Sequence, residues 1–153
     1  MKKVQKFIKQ VSDFSQQYKY PKGFDQKIFQ GFLKAFYSEN TAHDFADYAI
    51  EELHNSALTS FNFFSIRESK GVKISVRDAV AKKDDLKSLY TLIDIVNDDM
   101  PFLVDSVVAY LDRFGVDIKN IVHPIYSVLR DQDGKLLSIS AEKNSQRESL
   151  IQI

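Results

Sequence analysis

The hydrophobic pattern of this chain changes period once, near Glu68, and that change limits the fold more than any other feature. Before it, apolar residues recur every three or four positions. Val4, Phe7, Ile8, Val11, Phe14 and Tyr18 make one stripe, and Phe24, Ile28, Phe29, Phe32, Leu33 and Phe36 make a second. This spacing places the side chains on one face of a helix. Between the stripes, YPKGFD (Tyr20 to Asp25) carries a proline and a glycine that break the first helix. A third helix is expected to start at Asn40 or Thr41 as N-cap and to bury Phe45, Tyr48, Ala49, Leu53, Ala57, Leu58 and Phe61.

After Glu68 the period shortens to two. GVKISVRD alternates at Val72, Ile74 and Val76, which predicts a strand with those three residues inward. The dense run Ser88 to Val96 predicts a central strand. A helix over Pro101–Phe114 and a strand over Val116–Leu129 follow. Asp133-Gly134 then marks a hairpin turn, because both residues tolerate positive φ. KLLSISA returns as a strand, EKNSQRE is a polar connection, and SLIQI begins another strand. Helices first and mixed elements afterwards predict an α+β protein: a helical segment over residues 1–67 and a split-βαβ sheet domain over 68–153. The closing SLIQI reads as a sheet cut short, with a last helix and strand lying beyond it.

Composition narrows the chemistry. The chain has 153 residues, so it can bury roughly 68–70% of its unfolded surface and needs no covalent staples. It has no cysteine, which excludes a disulfide framework, a thiolate metal site and a cysteine nucleophile. Lys plus Arg and Asp plus Glu each total 21, so no net charge draws nucleic acid or an anionic membrane. The start MKKVQKFIKQV has no uninterrupted apolar segment, and no run reaches the ~20 apolar residues of a membrane span. These features together predict a cytoplasmic protein with no membrane and no nucleic-acid partner.

The segment IVNDDMPFLVDSVVAYLDRFGVDI (Ile95 to Ile118) sets two acids, Asp98 and Asp99, and a proline between two apolar patterns. Pro101 suits the first turn of a helix, where its missing N–H costs nothing. Asp98 and Asp99 are placed to accept free first-turn amides and complement the helix dipole. Leu103, Val107, Tyr110, Leu111 and Phe114 form the expected buried stripe, and Gly115 the left-handed stop. Capping explains the acids; binding of a small anion at the helix N-terminus is the functional alternative.

VNDDMPFLVDSVVAYLDRFGVDIKNI resembles the ACT-domain signature of strand, acidic-Pro turn, helix and returning strand. IVNDDMPFLVDSV, IVHPIYSVLRDQDGKL and ESLIQI resemble the N-terminal region of the large bacterial NAD-specific glutamate dehydrogenases, closely over Ile93–Ile153 and loosely before it. That resemblance implies ACT-like modules far upstream of the dehydrogenase core, NAD as cofactor of the parent enzyme and none in this chain. It also implies a regulatory or assembly role, contacts with the rest of the parent polypeptide, homo-oligomer contacts and an amino-acid effector. The effector site would be the turn of Asn97, Asp98, Asp99, Pro101 and Phe102. One departure stands out: amino-acid-binding ACT domains carry glycine after the proline, and here Phe102 fills or screens that place. On this reading Phe102 packs inward, and Phe102→Gly is expected to destabilise the domain.

No catalytic or metal-binding residue is expected in this chain. Its five glycines (Gly23, Gly31, Gly71, Gly115 and Gly134) form no G-x-G-x-x-G. His43, Asp47, Glu51 and His54 fall along one face of the third expected helix, and Glu51 and His54 have an i, i+3 spacing known from di-iron bundles. With no second such motif they read as a solvated polar face. His123-Pro124 predicts a bulge or edge position with a structural histidine. Arg67, Lys70, Lys73, Arg77, Lys82 and Lys83 read as solvated basic positions. Three functions remain open: the regulatory or assembly portion of a glutamate dehydrogenase, a stand-alone ACT-type amino-acid sensor, and a module that pairs its sheet edges with another subunit.

Overall fold

The computed structural model describes residues 2–41, 43–68, 71–83, 86–139 and 146–153. Three helices come first: α1 (Lys2–Gln17), α2 (Gln26–Phe36) and α3 (Ile50–Phe64). Then follow β1 (Lys73–Lys83), β2 (Leu86–Asp98), α4 (Leu103–Asp112), β3 (Ile125–Arg130), β4 (Leu136–Ile139) and β5 (Gln146–Gln152). The strands form one antiparallel sheet in the order β1-β2-β5-β3-β4. Since β5 lies between β2 and β3 and runs against both, β2-α4-β3 is a split βαβ unit, and the α+β ACT-like expectation holds.

The first two helices start and stop as their sequences direct. Asp25 caps α2 by accepting the Ile28 amide at 3.0 Å, which satisfies one of its free first-turn donors. The third helix begins later than expected. Asn40 and Thr41 do not cap it: residues 43–48 are turns closed by Asp44 N to Thr41 O, Ala46 N to His43 O and Tyr48 N to Phe45 O. Each bond reaches back three residues rather than four, so no α-helical ladder starts there. The helix starts at Ile50, where the Glu52 carboxylate accepts the Ala49 amide at 3.1 Å.

The core sits between the helices and one face of the sheet. Phe29, Phe32, Leu33, Phe36 and Phe64 are fully buried there with Tyr126, Val128 and Leu150 from the strands. Each such Phe contributes roughly 1.5–3 kcal/mol by leaving water. Phe32 and Tyr126 stack with centroids 4.8 Å apart, and the Tyr126 hydroxyl donates to the Phe32 carbonyl at 3.0 Å. That single side chain therefore ties α2 to β3 through both packing and a buried hydrogen bond.

Alternation assigns the opposite face. Asp94 meets Ser60 of α3 at 2.8 Å, so its neighbour Ile95 points away from the helices. Ile95 pairs with Ile151, and both are buried although neither belongs to the main core cluster. Among the described residues, the half-buried Leu103, Val104, Val107, Val108 and Leu111 of α4 are apolar side chains available to cover them. The expected α4 stripe is only partly right, because Tyr110 and Phe114 are exposed and α4 has no fully buried residue. Its bounds are also shorter than Pro101–Phe114. Gly115 closes it with φ 66° as expected, while the Val116 amide returns to the Leu111 carbonyl at 3.3 Å.

Two strand expectations are corrected. In β1 the alternation is present but its faces are exchanged: Ile74 and Val76 are 60% and 64% exposed. Lys73, Ser75 and Arg77 turn toward α3 instead. The cause is polar: Lys73 Nζ donates to the carbonyls of Phe63 and Ile66 (2.6 Å each) at the C-terminal end of α3, and Arg77 pairs with buried Asp94. The expected strand over Val116–Leu129 is regular only from Ile125, preceded by one bridge between Val122 and Gln152. The polar connection before β5 falls mostly outside the described residues.

Candidate functional site

The acidic turn is held by ion pairs. Asp98 ends β2 and accepts Arg67 Nη1 at 2.8 Å and Gln146 Nε2 at 3.0 Å. Asp99 pairs with Arg147 at 3.1 Å, and its amide donates to the Arg147 carbonyl at 3.0 Å. Neither acid caps α4, which corrects the capping expectation. The N-cap position belongs to Phe102, which adopts a left-handed conformation (φ 62°) and is 77% exposed. Phe102 therefore neither packs inward nor fills the turn, and the expected destabilisation by Phe102→Gly loses its basis. Pro101 lies in the preceding turn, and Asn97 is buried with its Nδ2 4.0 Å from the Met100 sulfur. The turn brings Asn97, Asp98, Asp99, Pro101 and Phe102 together, but its two carboxylates are committed to arginines.

Those arginines belong to a buried charge network. Glu148 is fully buried and accepts Arg130 Nε at 3.0 Å, Arg130 Nη2 at 2.8 Å and Arg67 Nη1 at 3.1 Å. Arg130 also donates to the Phe64 and Gly134 carbonyls at 2.8 and 2.9 Å, and its guanidinium lies 4.9 Å from the Phe64 ring. The network binds the end of α3 to the β3-β4 hairpin. With the donors of both guanidiniums spread over carboxylates and carbonyls, it acts as a structural clamp. Arg67 is 5% exposed, so it is not a solvated basic position as the sequence suggested. A second buried chain runs from Arg77 to Asp94, then through Ser60 and Gln152 to Ser56, with the last three contacts at 2.8, 2.6 and 3.0 Å.

The histidines sit apart. His54 is fully buried on α3 and faces the rings of Phe14, Tyr18 and Phe29. Its Nε2 is 2.9 Å from the Tyr20 hydroxyl. Burial lowers its pKa, partly offset by the Asn55 side chain. It is thus an aromatic-cage residue and not part of a solvated face, and His43 and Asp47 precede α3. His123 Nε2 lies 2.8 Å from Ser149 Oγ beside the buried Pro124, which fits the structural role expected of it. Among the described residues, no cluster of three or more His, Asp or Glu side chains could hold a metal ion.

A cavity of about 450 Å³ was not foreseen from sequence. It lies at the end of β5, where Ile153 bonds to Ile93. Leu89 to Ile93 of β2 form one wall and residues 116–120 the other. Tyr48, Glu52 and Ser56 come from the helical layer, and Leu111 from α4. Burial raises the pKa of both Tyr48 and Tyr90, Tyr48 raises that of Tyr90 further, and both side chains line the cavity. A nucleotide pyrophosphate does not fit this lining: it contains no glycine and sets Glu52 and Asp117 against one lysine. Two signals could have pointed here: Gln152, a polar residue ending an apolar strand, and the length of the Ser88–Val96 run.

With this geometry established, similarity to known proteins is decisive. Residues 32–153 match the family described as "Glutamate dehydrogenase, ACT1 domain". The chain belongs to that family. It is 29% identical over 126 residues to an NAD-specific glutamate dehydrogenase of Halomonas elongata, covering 80% of this chain and 8% of that protein. It is 26% identical over 124 residues to an NAD-specific glutamate dehydrogenase of Pseudomonas aeruginosa, covering 78% of this chain and 8% of that one. The matched stretch is thus a small fraction of either relative. No solved structure matches the chain. No helix among the described residues is long and apolar enough to cross a membrane.

Proposed function

We propose that this ACT1 chain is the N-terminal regulatory and assembly portion of a cytoplasmic NAD-dependent glutamate dehydrogenase. The whole enzyme converts L-glutamate, NAD and water to 2-oxoglutarate, ammonium and NADH, with its catalytic residues and NAD site outside these residues. The family match over 32–153 carries this reading. The arginines and carboxylates of the clamp, bound to each other and to carbonyls, support it, as does the lack of any dinucleotide fingerprint among the five glycines. Assembly is favoured by exposed apolar side chains: Ile74, Val76 and Leu129 on the strands, and Tyr110 and Phe114 on α4. The other reading, a stand-alone amino-acid sensor using the 97–102 turn, has two carboxylates against the approach of a ligand carboxylate.

The test uses the isolated chain and the parent enzyme. The chain alone should form no NADH from glutamate and NAD and give no saturable heat with NAD in calorimetry. The parent lacking this portion should keep hydride transfer while changing in assembled mass or effector response. NADH formation by the chain alone, or a truncated parent indistinguishable in assembly and regulation, overturns the reading.

A further inference from the structure

The cavity at the end of β5 has the form of a vacant strand position. β5 enters it hydrogen-bonded on both sides. Ile153 exchanges bonds of 2.9 and 2.8 Å with Ile93 of β2, and Gln152 exchanges two bonds of 2.8 Å with Val122. Beyond that point the two flanks continue, as Leu89 to Ile93 and as residues 116–120, with the cavity between them. Neighbouring strands lie ~4.8 Å apart, so flanks on either side of one strand are separated by about twice that, one strand's width.

The ladder gives the same answer. β2 is 13 residues long and pairs with β1 from Leu86 to Val96, but with β5 only from Asp94 to Asp98. Ile93 directs its N–H and C=O toward β5, and successive residues alternate in direction. Thr91 and Leu89 therefore present their backbone groups to the vacant position. Layers cover both of its faces: Leu111 and Val116 on one, Tyr48, Ser56 and Tyr90 on the other.

We propose that in the full-length protein the polypeptide directly following Ile153 continues β5 through this position, as an antiparallel partner of Thr91 and Leu89. This rests on the reading of the chain as part of a longer dehydrogenase, of which the matched stretch in each relative is 8%. The geometry also sets the chemistry of the incoming strand. Ile151 points to the α4 face, and by alternation so does Ile153. The second and fourth residues of the continuation meet Leu111 and Val116 and are apolar. The first and third face Tyr48, Ser56 and Tyr90 and are polar or aromatic.

The experiment compares the 153-residue chain with one extended by about a dozen codons of its natural reading frame, by amide hydrogen exchange. In the shorter chain the Thr91 and Leu89 amides should exchange rapidly. In the extended chain both should slow at least tenfold, and proline at the second and fourth added positions should abolish the slowing. Thr91 and Leu89 already protected in the shorter chain would mean that a second copy or another segment fills the position, and would overturn the proposal. A stop codon after Ile153, or no slowing on extension, would also overturn it. None of these readouts depends on NADH formation or effector response, so the strand and the dehydrogenase assignment can fail separately.

Discussion

Gly134→Ala should be more damaging than the same change at Gly23, Gly31 or Gly115. Gly134 has φ 79°, and a Cβ there would stand 2.0 Å from the Arg67 carbonyl oxygen and 2.5 Å from its carbon. Backbone on both sides must then move. The left-handed conformation alone costs an alanine ~1–2 kcal/mol. Separation also strains three bonds: Arg67 N to Gly134 O (2.9 Å), Leu136 N to Ser65 O (2.8 Å) and Arg130 Nη1 to Gly134 O (2.9 Å). At about 0.5–1.5 kcal/mol each, their weakening brings the expected loss to roughly 3–5 kcal/mol. Gly115→Ala supplies the control, since Gly115 has φ 66° but nothing within 4 Å of the added Cβ. It should lose only the conformational part, ~1–2 kcal/mol. Urea unfolding with unchanged slope measures both. If the two variants lose the same free energy, the close approach of the hairpin to residues 65–67 is refuted.

Phe102→Gly should change stability by no more than about 1 kcal/mol, because relief of the left-handed strain offsets the added freedom of the unfolded chain. A loss above about 2 kcal/mol in urea unfolding would restore Phe102 to the core. Glu148→Gln should cost roughly 3–5 kcal/mol, since it removes a buried counter-charge shared by Arg130 and Arg67; a loss below ~1 kcal/mol would show the clamp to be dispensable. His54 and His123 both have folded pKa values below the usual 6.5, His54 and His123 alike through burial. The unfolded chain therefore binds more protons as pH falls through that value, so the contribution is intact above about pH 6.5 and lost below it. Thermal melts between about pH 7.5 and 5.5 should fall in midpoint, and His54→Gln with His123→Gln should flatten the fall; an equal fall in the double variant would assign the effect elsewhere.

The sequence disclosed most where one periodicity had a single cause. The stripes of α1 and α2 and the turn at Gly134 were legible because apolar spacing and a positive φ each answer to one rule. β1 misled because period two shows that two faces exist without showing which one is covered. There, Lys73 and Arg77 decided the matter through carbonyls of α3 and Asp94, partners far away in sequence. The acids of the turn misled for a similar reason. Capping is a local use of aspartate, while Arg67 and Arg147 lie 31 and 48 residues from the acids they hold. The cavity was invisible because it is bounded by the backbone of two segments that only the folded sheet brings opposite each other.

Among the described strands, β5 is the last to be synthesised and yet holds the middle of the sheet. Until it emerges, β1-β2 and β3-β4 are two hairpins that share no ladder, and each exposes the edge meant for β5. Closure must then bring Asp94 against Gln152, a loop of more than fifty residues, before the central pairing returns any free energy. Folding of this chain should therefore be slow for its size and insensitive to mutations in the β3-β4 turn that spare its native bonds. The rate should instead follow the strength of β5, and nascent chains stalled before it should be the ones that aggregate.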